Sequence, residues 1–141
     1  MTKFKIPYRL ILSVVAGIAI AAVLSVIAHL LLYAFGIFPA PLKPMFGKRE
    51  LIISLIYHSV FAMAGAFVTA MLAKEQARKA VFILGSKEAI MWLVGMVVLW
   101  DHSPPWFNIT KAILGPPLAW FGGKLYQFYK KKHDPANAPV V

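Results

Sequence analysis

Residues 10–42 form a run of thirty-three with no Asp, Glu, Lys or Arg. At about 1.5 Å of rise per residue, a helix over the part before Gly36 already exceeds the ~30 Å hydrocarbon thickness of a bilayer. With 60% hydrophobic content, these 141 residues leave too little polar surface for a soluble domain of that size. The sequence therefore predicts an all-α integral membrane protein with a single membrane domain over residues 1–129. Lys3, Lys5 and Arg9 ahead of the run resemble the start of a signal peptide, but such segments carry apolar stretches of only about 7 to 15 residues. The first span is expected to remain uncleaved.

The net charge of +10 would suggest nucleic acid in a soluble domain. Beside long apolar runs, basic residues instead mark the cytoplasmic ends of spans and contacts with anionic lipid, so no nucleic-acid partner is expected. There are no cysteines, which removes disulfides, thiolate nucleophiles and thiolate metal sites.

Four spans follow from hydropathy and breakers, at about 8–35, 51–73, 80–100 and 104–129. Gly36 and then Pro39, Pro41 and Pro44 end the first. The third contains Lys87 and Glu88; without them only twelve apolar residues remain, about 18 Å, too short to cross, so either the charges enter the span or the segment is re-entrant. Ser103 is the expected N-cap of the fourth span, and Pro116 and Pro117 predict a kink within it. Residues 130–141, basic and then Pro-containing, predict a disordered tail.

Counting Lys and Arg near the ends of the spans, and leaving Lys87 aside, ten fall on one side and four on the other. Both termini are thereby expected in the cytoplasm, as a four-transmembrane-helix bundle requires. Asp101 and His102 read as loop residues, with no nucleophile or metal partner nearby in sequence, and no enzymatic activity is expected.

Small residues recur at spacing four in three of the spans. The rows are Ser13, Gly17, Ala21 and Ser25 leading to His29; Ser54, His58, Ala62, Ala66 and Ala70; and Lys111, Gly115, Ala119 and Gly123. Small side chains let helix backbones approach closely, which is how membrane helices gain packing energy where lipid supplies no hydrophobic drive between them. The first two rows are expected to pack on each other, with His29 and His58 at similar depth. One reading of that pair is axial ligation of a b-type haem, with Ala28, Ala62 and Gly65 leaving room for the macrocycle. The other is an interhelical polar contact, with no cofactor.

Lys87 and Glu88 are intramembrane ionisable residues, and Glu88 could carry a proton or a cation. Adjacent helix positions point about 100° apart, so the expectation is a snorkelling lysine and a glutamate paired with Arg78, Lys79 or Lys124. A fourth span broken at Pro116 and Pro117, with Lys111 in its row, offers carbonyls for an ion site.

Ala64-Gly65-Ala66-Phe67-Val68 leading to Ala73, Leu84-Gly85, Trp100, Pro105-Trp106-Phe107, and Pro117-Leu118-Ala119-Trp120-Phe121-Gly122-Gly123 together resemble a loose group of small four-span bacterial inner-membrane proteins. The resemblance covers about the last two thirds of the chain and implies architecture and a bacterial inner (cytoplasmic) membrane. That group has no assigned activity, so it supplies no functional residue. The function expected is that of a non-enzymatic accessory or association subunit, alone as a homo-oligomer or with a membrane-protein partner. The alternatives are a small oligomeric transporter or channel using Lys87, Glu88, Lys111 and the broken fourth span, and a haem protein using His29 and His58.

Overall fold

The computed structural model describes residues 8–41 and 43–137, and everything described is helix, turn or loop. The described residues form four α-helices: α1 (Tyr8–Ala34), α2 (Lys48–Ala73), α3 (Ala77–Val98) and α4 (Pro105–His133). Short 3₁₀ turns cover Lys74–Gln76 and Pro135–Asn137. Because α2, the first 3₁₀ turn and α3 follow without a gap, they form one bent segment, and two segments are long and apolar enough to cross a membrane, Tyr8–Ala34 and Lys48–Val98. The third segment, α4, carries Asn108, Lys111 and two internal prolines and does not reach that hydropathy.

The helix ends follow from local chemistry. α1 closes where Gly36 takes φ +72°, with Gly36 N–H donating to Tyr33 O at 2.9 Å and Ile37 N–H to Leu32 O at 2.9 Å. That pair of bonds is the glycine-terminated cap which satisfies the last carbonyls of a helix. Between α2 and α3 the reversal is made by Lys74 at φ 52°, a region L side chains rarely adopt. Buried Ala73, Ala77 and Ala80 let the two arms of this turn close tightly.

The helices run alternately up and down. Arg9 Nε donates to Leu72 O at 3.0 Å, placing the start of α1 beside the end of α2. Met45 N–H donates to His102 O at 2.8 Å, which ties the loop before α2 to the loop after α3 at the opposite end. Phe67 stacks edge-on with Tyr126 at 5.5 Å between centroids, so the end of α4 returns to the first end. Arg9, Lys74, Arg78, Lys79, Lys124 and Lys130 through Lys132 therefore share one end. Lys3 and Lys5, counted with them in the sequence, lie outside the described residues.

Glycines set the helix crossings. A Cβ on Gly17 of α1 would run into Thr69 Oγ1 and lie 2.6 Å from Gly65 O of α2. A Cβ on Gly85 of α3 would lie 3.0 Å from Pro116 Cα of α4, and one on Gly122 of α4 would lie 2.6 Å from Ala66 Cβ of α2. This corrects the expected pairing of the first two small-residue rows. α2 packs between two partners, so it uses adjacent positions about 100° apart: Gly65 and Thr69 meet α1, while Ala66 meets α4.

The core is built mostly of small and apolar residues, and many large apolar side chains remain on the outside. The largest fully buried side chains are Leu51, Thr69, Ser13 and Ser54, while Val23, Val26, Ile56, Phe82, Val97, Ile113 and Phe128 stand outward. Apolar surface of that extent is foreign to a monomer in water.

Three local expectations are revised. α4 is helical without interruption through Pro116 and Pro117, so the fourth segment is not broken. Both prolines are exposed, and the backbone of Pro116 faces α3 where a Cβ on Gly85 would lie 3.0 Å from Pro116 Cα. Ser103 does not cap α4: Pro104 occupies the N-cap position, Pro105 begins the helix, and Ser103 Oγ instead accepts from buried Asn108 Nδ2 at 3.0 Å. The tail is ordered farther than its composition predicts, with Lys130 through His133 continuing α4 and Lys130 bridging Asp134 at 3.4 Å. Basic residues in the last turn oppose the negative end of the helix dipole, which favours that extension. The last four residues lie outside the described ones.

Candidate functional site: a polar cavity between the helices

All four helices line a half-open cavity of about 210 Å³. α1 contributes Ala21 and Ser25, α2 His58, Ser59 and Ala62, α3 Lys87, Glu88 and Trp92, and α4 Lys111, Leu114 and Gly115. Their positions along the helices agree in depth. Ser25, His58, Glu88 and Gly115 each sit about ten residues, roughly 15 Å, in from the end that carries the Met45–His102 bond.

Close approach of α3 and α4 makes the cavity's charged floor. A Cβ on Gly115 would lie 3.1 Å from Glu88 Cβ, so the glycine admits the glutamate between the helices. Lys87 Nζ donates to Glu88 Oε1 at 2.8 Å, with about a third of the lysine and a fifth of the glutamate side chain exposed. The expected pairing of Glu88 with Arg78, Lys79 or Lys124 is thereby corrected. The four-carbon lysine stem is long enough to span the 100° between neighbouring helix positions. α3 runs unbroken through both residues.

Lys111 is 5% exposed. Its ammonium lies 4.0 Å from the centroid of Trp92 and 4.2 Å from that of Phe107, a cation held between two ring faces. Among the described residues no carboxylate comes within ion-pair distance of it. The cavity lining thus holds two lysines and one carboxylate, and the carboxylate is in contact with Lys87.

His58 is positioned by its own helix. Its Nδ1 is 2.8 Å from Ser54 O and 3.2 Å from Ser54 Oγ. A carbonyl only accepts, so Nδ1 carries the hydrogen and Nε2 of the neutral ring keeps its lone pair. Tyr57 stacks on the ring at 4.4 Å, and Trp92 meets its edge at 5.7 Å.

His29 is elsewhere. Its ring contacts Phe38 at 5.3 Å, Phe38 contacts Tyr57 at 6.0 Å, and Nε2 is buried without a hydrogen-bond partner. An aromatic chain thus links the two histidines, and the cavity that includes His58 does not include His29. Of the remaining residues singled out in the sequence, Ser13 and Gly17 are buried in the lower part of α1, Ala70 joins the small-residue core and Ala119 lies against Gly85. Gly123 is buried as well, beside the Gly122 crossing. Asp101 and His102 are exposed in the α3–α4 loop.

The aromatic clamp on Lys111 and the seat for His58 were not foreseen. Trp92 follows Glu88 at spacing four, as Lys111 precedes Gly115 at spacing four, so the two stripes together hold the signal; the sequence does not say that they face each other.

Compared with models of known families, with curated proteins and with solved structures, the chain matches none of them.

Proposed function

We propose that this is a multi-pass protein of the bacterial inner membrane whose four helices cross the bilayer with both termini in the cytoplasm, and whose central cavity binds a small polar solute on its way through. The observation that carries the reading is the convergence of Ser25, Ser59, His58, Lys87, Glu88 and Lys111 on one cavity about 15 Å in from one end, near the middle of a ~30 Å hydrocarbon layer. Ionisable groups at that depth are costly and are tolerated where they line a wet or ligand-filled space. A cavity of this size exceeds many times the ~10–15 Å³ that one water needs.

The small-residue rows favour transport over an accessory role by association. An association surface would present such residues outward, whereas Gly17, Gly65, Gly85, Gly115 and Gly122 are consumed in contacts within the chain. The outward residues are large and apolar, suited to lipid tails. The basic end, with Arg78, Lys79 and Lys124, is suited to anionic headgroups on the cytoplasmic side, and the bacterial setting rests on the resemblance given above.

The test is permeation in proteoliposomes of purified protein. Small polar solutes should cross faster than in protein-free liposomes, and Ala62→Trp, which fills the cavity, should remove the increment. Equal permeation with and without protein, across neutral, cationic and anionic solutes, would refute the proposal.

A further inference from the structure

Lys111 is a nine-tenths-buried cation on the cavity lining, with two ring faces and no carboxylate against its ammonium among the described residues. Cation–π contacts compensate only part of the lost hydration of a buried ammonium. A structural lysine of this kind ordinarily acquires a carboxylate, and Glu88, the nearest candidate, is already engaged by Lys87 at 2.8 Å.

We propose that the cavity is an anion site taking a small monovalent anion, inorganic or a short carboxylate, with Lys111 as the charge that holds it. This deepens the solute-site reading above and rests on it. The anion completes the neutralisation that the lining leaves unfinished. The hydroxyl of Ser25 supplies a further polar group to the cavity wall, while that of Ser59 donates to Leu55 O at 2.7 Å, and the modest volume restricts the guest to a few heavy atoms. Trp92 lies on Lys111 and therefore reports directly on arrival of an ion.

The experiment uses the full chain with Trp100, Trp106 and Trp120 changed to Phe, leaving Trp92 as the sole tryptophan; the three replaced residues are about half exposed. In nanodiscs of uncharged phosphatidylcholine, Trp92 fluorescence is titrated with iodide, caesium and neutral acrylamide. Iodide should quench at least about tenfold more effectively than caesium, as a unit charge a few ångströms away produces even when strongly screened, and nitrate or formate should compete. Lys111→Met, which keeps the stem between the rings, should erase the iodide preference and leave acrylamide quenching intact, while Lys111→Arg should retain the preference. The iodide–caesium comparison is made on one folded protein, so it stands even where a variant fails to fold. Acrylamide quenching with iodide no better than caesium, or a preference that survives Lys111→Met, would overturn the anion site and leave the solute-site reading standing. Quenching by none of the three would mean a sealed cavity and would overturn both.

Discussion

Gly17→Ala isolates the crossing of α1 and α2. The added methyl carbon would stand 2.6 Å from Gly65 O and against Thr69 Oγ1. The threonine hydroxyl can rotate away, but the carbonyl belongs to the backbone of a continuous helix. Ordinary contact begins at 3.4 Å, so the helices must separate locally by about 0.8 Å. A gap of 0.5–1 Å forfeits a quarter to a half of each dispersion well across the interface, and overpacking of this kind costs about 1–3 kcal/mol. Ala also gains roughly 1 kcal/mol of helix propensity over Gly. Gly95→Ala cancels that gain, because a Cβ there meets nothing within 4 Å. Gly17→Ala should therefore be less stable than Gly95→Ala by about 1–3 kcal/mol in reversible unfolding from detergent micelles. Gly65→Ala, whose Cβ would lie 2.7 Å from Gly17 O, should cost less in the Gly17→Ala background than alone, since the helices are already apart. Equal stabilities of Gly17→Ala and Gly95→Ala, or strictly additive effects at 17 and 65, would refute the crossing.

Ala66→Leu should destabilise by about 1–3 kcal/mol, because Ala66 is fully buried where Gly122 of α4 approaches, whereas Val68→Leu, about 200° around the helix, should be nearly neutral in the same unfolding assay. Glu88→Gln should cost about 1–2 kcal/mol after allowance for partial exposure of the pair, and Lys87→Met added to it should recover most of the loss in a double-mutant cycle. Lys74→Gly should raise thermal stability by up to about 1 kcal/mol, since it relieves a positive φ on an L residue; a lower melting temperature would show that the lysine side chain, not the backbone, holds the α2–α3 turn.

The helices were legible because charge-free runs and glycine or proline breakers act locally. The Gly36 cap, the α2–α3 reversal near Lys74 and the Pro104–Pro105 start of α4 all lie within a residue or a few of where those signals put them. Partner choice was not legible. Spacing-four rows identify a face without naming what meets it, so Ala66 was assigned to α1 although it faces α4. Lys87, Glu88 and Lys111 were legible as one group because ionisable residues stand out in apolar runs, but Trp92 was not, since only the α3–α4 crossing at Gly85 and Gly115 brings it to the same cavity. The unbroken α4 shows a third kind of limit: two prolines remove donors, but packing against α3 can hold the helix through them.

The most direct test of a water-accessible cavity inside a membrane-embedded bundle compares neighbours on α2. Ser59 lines the cavity, and Val60, half exposed, faces outward. The chain contains no cysteine, so Ser59→Cys and Val60→Cys are each single-cysteine proteins without further change. In native membrane vesicles, a small membrane-impermeant thiosulfonate should modify Cys at 59 readily and leave Cys at 60, shielded by lipid tails, unmodified. A reversed order, with position 60 reactive and position 59 protected, would contradict the account, because it is what a protein surrounded by water with a dry interior would give.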